Sequence, residues 1–157
     1  MTVSHTGARK AILALISDCW QAKSGDIVGG APPELRIQGV QIPDPPDSKS
    51  FWARASTQGV TTRQRAHSVP PEHGGPSKTV YATYGIVFVE VFAPMCNPMG
   101  WETGELLSEL AQGMFMQSET GNGVWFRNPR IVELPSDDKW YRWHAIADYT
   151  FNQVKGA

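Results

Sequence analysis

The chain has 157 residues, which is near the usual size of a single domain with one core. Its 14 basic and 15 acidic residues leave a net charge of −1, so it has no general electrostatic attraction to nucleic acid. No apolar stretch reaches the roughly 18 residues that cross a bilayer. The two cysteines, Cys19 and Cys96, form neither a disulfide framework nor a metal pattern.

The first predicted element is an amphipathic helix from about Ser4 to Lys23. Its buried stripe recurs every four residues, and the set is Ala8, Ile12, Ile16 and Trp20. Ser4 or Thr6 is suited to cap its start, and the glycine of "KSGD" is expected to end it. Because Asp18 and Trp20 stand where a small-residue cleavage site would be, this segment does not resemble a signal peptide.

The next part of the chain predicts two strands and a long loop. A short strand, residues 35–40, lies within a segment rich in Pro and Gly. The stretch "SFWARASTQGVTT" alternates apolar and polar side chains, as a strand does. Residues 63–78 then form a polar segment with three Pro and two Gly, longer than a usual hairpin loop. We interpret it as a long polar loop or arm that depends on a partner.

The segment "TVYATYGIVFVEVFAP" predicts a strand from about Thr79 to Ala93. It would span roughly 50 Å, so it either bends at Gly85 or projects beyond the main sheet. In its second half the odd-numbered and the even-numbered residues are both apolar, and Glu90 is the single charge in "GIVFVEVFA". That pattern predicts a central strand covered on both faces.

The remainder predicts a second helix and two strands. Asn97 is placed to cap the helix, and Leu106, Leu110 and Met114 form one expected apolar face, with Leu107, Ala111 and Phe115 beside them. "GVWFRNPRIVELP" predicts a strand interrupted at Asn128-Pro129. The last strand, "KWYRWHAIADYTFNQV", alternates, and its expected buried set is Tyr141, Trp143, Ala145, Ala147, Tyr149 and Phe151.

This order of elements predicts an α+β fold in one domain, residues 1–157. The sheet is expected to be antiparallel, or mixed at most, with about four to five strands, two helices on one face, and a long loop or hairpin extension. Two helices cover only one face. We therefore expect Val87, Val89 and Val91 to be covered by another subunit, since the polar loop would cover them poorly.

The sequence contains no pattern typical of catalysis or cofactor binding, so we predict no enzyme activity, no cofactor and no metal site. The G-x-S-x-G nucleophile elbow, the P-loop and the dinucleotide pattern are absent. Cys96 precedes a predicted helix, where a thiol nucleophile is conceivable with His144, but a structural cysteine fits as well. The large aromatics and the two-faced apolar strand indicate assembly instead.

Several blocks of the chain together resemble a bacteriophage-related family labelled a domain of unknown function, which is similar to the tail terminator proteins of long-tailed phages. The blocks are "FWARASTQGVTTRQ", "GIVFVEVFAPMCNPMG", "GVWFRNPRIVEL" and "WYRWHAIADYTF", and they cover residues 51–154 approximately. The order and spacing of the blocks carry this resemblance. The segment from Arg65 to Lys78 is longer here, with extra Pro and Gly, and any tube contact copied onto it is doubtful.

The resemblance implies a structural virion protein of the tail or neck, assembled in the host cytoplasm. Its copies would form a hexameric ring that caps the tail tube, stops tube polymerisation and provides the surface for head-tail joining. The implied partners are the tail tube protein and a head-completion or connector protein. DNA would pass through the lumen without specific binding, and no membrane is involved.

From the residues, we expect the ring contacts to use exposed aromatic and arginine side chains, which interfaces favour. The candidates are Trp52, Arg54, Arg63, Arg65, Trp101 and Arg127. Trp52 and Trp101 fit core positions equally well. Three alternatives stay open. They are another neck or minor tail component such as a connector or tube-like protein, a small enzyme using Cys96 and His144, and a nucleic-acid binder using Arg63, Arg65 and the aromatics.

Overall fold

The computed structural model describes residues 3–68, 78–116, 120 and 122–156. Within them it contains two helices and five strands. In chain order these are α1 (His5–Val28), β1 (Glu34–Ile37), β2 (Trp52–Ser68), β3 (Lys78–Pro94), α2 (Gly100–Met114), β4 (Val124–Leu134) and β5 (Trp140–Gly156).

The strands form one sheet in the order β1-β2-β3-β5-β4. Three of its pairs are antiparallel, and β1 runs parallel to β2, so the sheet is mixed. Both helices pack on the same face, where their apolar side chains join those of β3 and β5 in one core. The predicted α+β class, strand number and helix placement are confirmed.

The expectation that Val87, Val89 and Val91 lack cover within the chain is wrong. All three have no exposed surface and lie in the core that the helices close. Successive strand residues point to opposite faces, so it is the alternate residues of β3 that face away from the helices. Of those, Glu90 and Phe92 are also buried.

Helix α1 follows its predicted stripe but extends further than predicted. The Ser4 Oγ accepts a hydrogen bond from the Gly7 amide at 2.9 Å, as a cap does. The helix continues through Gly25 and ends at Val28, because the residue in the left-handed conformation is Gly29, with φ 74°. The indole Nε1 of Trp20 donates to the Pro33 carbonyl at 2.8 Å, which fastens the helix to the segment before β1.

Helix α2 begins at Gly100, and its N-cap is Met99 and not the predicted Asn97. The Asn97 Oδ1 instead accepts a hydrogen bond from the Met99 amide at 2.9 Å, before the helix begins. A side chain at Gly104 would overlap the Trp143 ring and the Ala93 methyl group, so this glycine lets the helix lie close to the sheet. The close contact fixes the rotation of the helix. As a result Leu107, and not Leu106, points into the core, while Leu106 is 46% exposed.

The predicted long loop is shorter than residues 63–78, because residues 63–68 continue β2 and Lys78 begins β3. Residues 69–77 lie outside the described residues. The far parts of three strands form an extension that we call the arm: residues 58–68, 78–84 and 150–156. Residues 58–65 are all exposed, and none of them belongs to the described core. On β3, Ala82 and Thr83 are buried, and on β5, Phe151 is a core residue.

Two β-bulges interrupt β2 within the arm. The pairing of β2 with β3 shifts register between Gly59 and Thr61 and again between Gln64 and Ala66. The extra residues are Val60 and Arg65. The long strand that was expected to bend at Gly85 or to project therefore projects, with an irregularity in the strand opposite Gly85. The interruption predicted at Asn128-Pro129 is confirmed, since Asn128 has φ 53° and the β4–β5 register shifts there.

Replacing Gly104 with alanine should destabilise the protein by about 1 to 3 kcal/mol, because the methyl group would push α2 off the sheet. Gly113→Ala is the matched control on the same helix, since nothing lies within 4 Å of its added methyl group. It should stabilise by about 0.5 to 1 kcal/mol, as alanine favours helix. Urea unfolding measures the change in the free energy of unfolding for each variant. Equal changes for the two variants would contradict the close contact at Gly104.

Candidate functional site

The face of the sheet opposite the helices, here called the outer face, carries a polar cluster at its centre. Strand alternation places Arg54 of β2, Glu90 of β3 and His144 of β5 side by side on this face. Arg142 lies next to them, two residues along β5. Three adjacent strands thus each contribute at least one charged or titratable side chain.

Glu90 is the centre of this cluster, and its side chain is only 6% exposed. The Arg54 Nη2 donates to Glu90 Oε2 at 2.6 Å. The Arg142 Nη2 and Nε donate to Glu90 Oε1 at 2.7 and 3.2 Å, and the His144 Nε2 lies 3.3 Å from Oε2. Both carboxylate oxygens are therefore occupied by charge-assisted contacts.

The pKa of Glu90 is held below its ordinary value. Burial by itself would raise the pKa, but the hydrogen bonds from Arg142 and Arg54 outweigh it, with help from the charges of Arg54 and His144. The folded protein therefore favours the ionised carboxylate. This stabilisation is present above the ordinary glutamate pKa and is lost as the pH falls through the lowered value.

Aromatic rings support the two arginines. The Trp52 and Phe92 rings are stacked, with centroids 3.9 Å apart. The guanidinium carbons of Arg54 and Arg142 each lie 5.7 Å from the centre of the Phe92 ring. Trp140 meets both rings edge-on. Because these planar contacts restrict the arginine side chains, the cluster is held in a defined geometry.

The cluster forms one wall of an open cleft of about 590 Å³, here called the Arg54 cleft. Its other wall is the segment after β1, where Val40 and Ile42 are exposed, and Phe88 of β3 also lines the cleft. The side chain of Arg54 is 54% exposed, and only its Nη2 has a hydrogen bond within the described chain. The cleft therefore combines available cationic N–H donors with apolar walls, which suits a carboxylate beside an apolar group.

Four of the six predicted interface residues lie on the outer face. By strand register these are Trp52, Arg54, Arg63 and Arg127. The placement corrects one expectation, because Trp52 is 8% exposed and stacked on Phe92, so it is not an exposed anchor. Arg65 is the extra residue of the second bulge, and Trp101 lies on α2 with its ring edge-on to Trp143.

The residues of the alternative enzyme hypothesis are not brought together. The Cys96 Sγ lies 3.9 Å from the Ser48 carbonyl oxygen, while His144 contacts Glu90 and the Phe88 ring. No hydrogen bond joins Cys96 to His144 in the described part of the chain. Among the described residues no group of three or more His, Cys, Asp or Glu is placed to hold a metal ion. Neither helix is long and apolar enough to span a membrane.

The sequence analysis found Arg54 but missed its partners. Glu90 was noted only as the single charge in an apolar run, and Arg142 and His144 were assigned to the face away from the buried set. A lone carboxylate at the centre of a buried strand signals that cations on neighbouring strands must pair with it. Arg54 and Arg142 stand 36 and 52 residues away along the chain, so only the strand register identifies them.

No protein-family model matches this chain, and no curated protein is a significant match. The chain is similar in fold to a solved protein structure. The two share a TM-score of 0.59 and 13% sequence identity, over 90% of this chain and 94% of the other. At that identity the likeness shows a common fold alone.

Replacing Glu90 with glutamine should destabilise the protein at pH 7 by about 1 to 3 kcal/mol, because the arginines lose a buried anionic partner. The difference from the wild type should shrink as the pH falls below about 4.3, the ordinary glutamate value, because the Glu90 carboxylate of the unfolded wild-type chain then takes up a proton before that of the folded chain does. Urea unfolding across this pH range measures both effects.

Glu133→Gln is the matched control, since this glutamate is exposed on β4. Its effect should stay within about 0.5 kcal/mol at every pH. A stability gap for Glu90→Gln that is the same at pH 7 and at pH 3 would contradict the role of the charge.

Proposed function

We propose that this chain is a structural subunit of a phage tail, and that its copies form a ring capping the end of the tail tube. The ring stops tube polymerisation and offers a joining surface to the capsid. The proposal combines the resemblance of the sequence blocks with one structural observation, namely the arm.

The arm supports assembly because the part of β2 within it adds no side chain to the described core, although Ala82 and Thr83 of β3 are buried and Phe151 of β5 belongs to that core. Strand segments without a packed face are marginal in water. Val60 is 61% exposed within it, and Val154 and Arg63 are exposed as well. Such an extension gains stability when another protein covers it. The need for a second subunit thus shifts from the central valines to the far part of the sheet.

The edge of β2 points to the same conclusion. Strand β1 pairs with β2 only from Trp52 to Ala55, and the Gln38 side chain then accepts from the Thr57 amide at 2.9 Å. Beyond Thr57, β2 has no strand partner on that side among the described residues. A free edge presents backbone donors and acceptors on which another chain can pair.

The electrostatics suit a channel for DNA. The net charge of −1 provides no general grip on phosphates, so DNA would pass through a ring of such subunits without being held. The arginines on the outer face are partly neutralised as well. Arg54 and Arg142 pair with Glu90, and Arg130 lies 3.5 Å from Asp148.

The test is capping of tubes polymerised from the tail tube protein of the same particle. Adding increasing amounts of this protein should shorten the tubes seen by electron microscopy and place one ring at a tube end. A connector would leave tube length unchanged, and a tube-like protein would itself form filaments. Either result would overturn the proposal.

The double variant Val60→Lys/Arg63→Glu should abolish capping, because both side chains are exposed on the arm and both changes disturb a contact there. The fold should be retained, since neither residue is buried. Lys10→Glu, an exposed change on α1, is the control and should cap as the wild type does. Normal capping by the double variant would show that the arm makes no contact needed for capping.

A further inference from the structure

The exposed face of α2 is acidic and apolar. The helix contains Glu102, Glu105 and Glu109 and no Lys or Arg. None of the three carboxylates forms an ion pair within the described part of the chain. Glu102, Leu106 and Glu109 are spaced i, i+4 and i+7, so they form one stripe on the helix surface.

Leu106 makes this stripe unlike an ordinary solvated helix face. It is one of the large exposed apolar side chains, together with Met99 in the turn before the helix. The Gly104 contact with the sheet holds α2 in the rotation that turns Leu106 outward. An apolar centre flanked by polar groups is the arrangement found at protein interfaces.

The Arg54 cleft is complementary to this stripe in charge and in character. Arg54 offers N–H donors that no residue of the described chain occupies, beside the apolar rim of Val40 and Ile42. A carboxylate would accept from Arg54 while a neighbouring aliphatic group fills the space along the rim. Two carboxylates flank one leucine on α2, which matches this need.

The two surfaces lie on opposite sides of the sheet, so a single copy cannot bring its own together. The stripe is on the helix side, and the cleft is on the outer face. A contact between them joins two copies through different surfaces and leaves one of each free. Such a head-to-tail contact repeats, and it closes into a ring when the rotation allows.

We propose that the Glu102–Leu106–Glu109 stripe of one copy docks into the Arg54 cleft of a second copy. Leu106 packs along Val40 and Ile42, and a stripe carboxylate accepts hydrogen bonds from Arg54. The pairing rests on the proposed function only in that copies of this chain associate. The pairing identifies which surfaces of two copies meet, whereas the arm indicates only that another protein covers it.

The first test is Glu102→Arg/Glu109→Arg, measured by analytical ultracentrifugation of the full chain over a range of concentrations. Both glutamates are exposed, so folding should be unaffected. Self-association should weaken by at least about tenfold, because like charges would then meet across the contact. Glu133→Arg carries the same kind of charge change at an exposed site on β4 and should leave association unchanged.

The second test places a charge on the cleft without disturbing Glu90. Val40→Asp, at a position 62% exposed, should also weaken association, since the new carboxylate faces the acidic stripe. Combining it with Glu102→Arg/Glu109→Arg should restore part of the association, because the new carboxylate attracts the new arginines while Arg54 still repels them. Mixing the two single-surface variants should likewise restore association, as expected for a head-to-tail contact.

Three results would overturn the pairing. They are a wild-type protein that stays monomeric at the highest concentration, a stripe variant that associates normally, and a combined variant that does not recover. The last result would mean that the stripe binds another surface or another protein. Tube capping is measured separately. Wild-type association through these surfaces without any capping would refute the proposed function and leave the pairing in place.

Discussion

The ion cluster at Glu90 fixes how the three central strands align. A carboxylate at the centre of a sheet is costly to bury unless cations pair with it. Arg54 comes from β2, and Arg142 and His144 come from β5, so these side chains reach Glu90 across the strands in the observed register. A slip of one residue would turn Glu90 toward the helices. The cluster therefore determines which residues of β3 form the core and which form the outer face.

The two faces of the sheet consequently differ in kind. The helix face is closed by α1 and α2 over Val87, Val89 and Val91, and it needs nothing from outside the chain. The outer face carries the Arg54 cleft and the aromatic stack, and it remains open to a partner. Together with the arm and the α2 stripe, this asymmetry gives the molecule several unlike surfaces. A contact that joins two unlike surfaces and leaves one of each free generates a ring when its rotation closes and an open filament when it does not.

The elements of the fold could be predicted because their periods are clear. The stripe from Ala8 to Trp20 and the alternation of β5 predict buried sets that the structure confirms. The side of β3 that meets the helices could not be predicted, because near Ile86 the residues that point to each of the two faces are apolar. Of the apolar set expected on α2, Leu106 alone is exposed. Its position depends on the close contact between Gly104 and Trp143, which is distant in sequence.

The candidate site was predictable only in part. Arg54 was identified as an exposed arginine on an alternating strand, and Arg63 and Arg127 were assigned correctly to exposed positions. Trp52 could not be assigned to the interface or to the core from the sequence, because its burial depends on stacking with Phe92, a cross-strand neighbour. The α2 stripe was missed, since Leu106 was assigned to the apolar face of the helix. Each miss concerns a contact between elements that no local pattern encodes.

The bulges at Val60 and Arg65 also limit non-specific strand addition at the free edge of β2. A long regular edge invites any extended chain to add itself, and such additions propagate into aggregates. Here the ladder between the two irregularities is only Thr61 to Gln64. A regular strand that pairs there loses its backbone hydrogen-bond register at the bulges after a few residues. A partner strand whose backbone matches the bulges keeps its register. The irregular edge of β2 thereby restricts which chains can add to the sheet as a further strand.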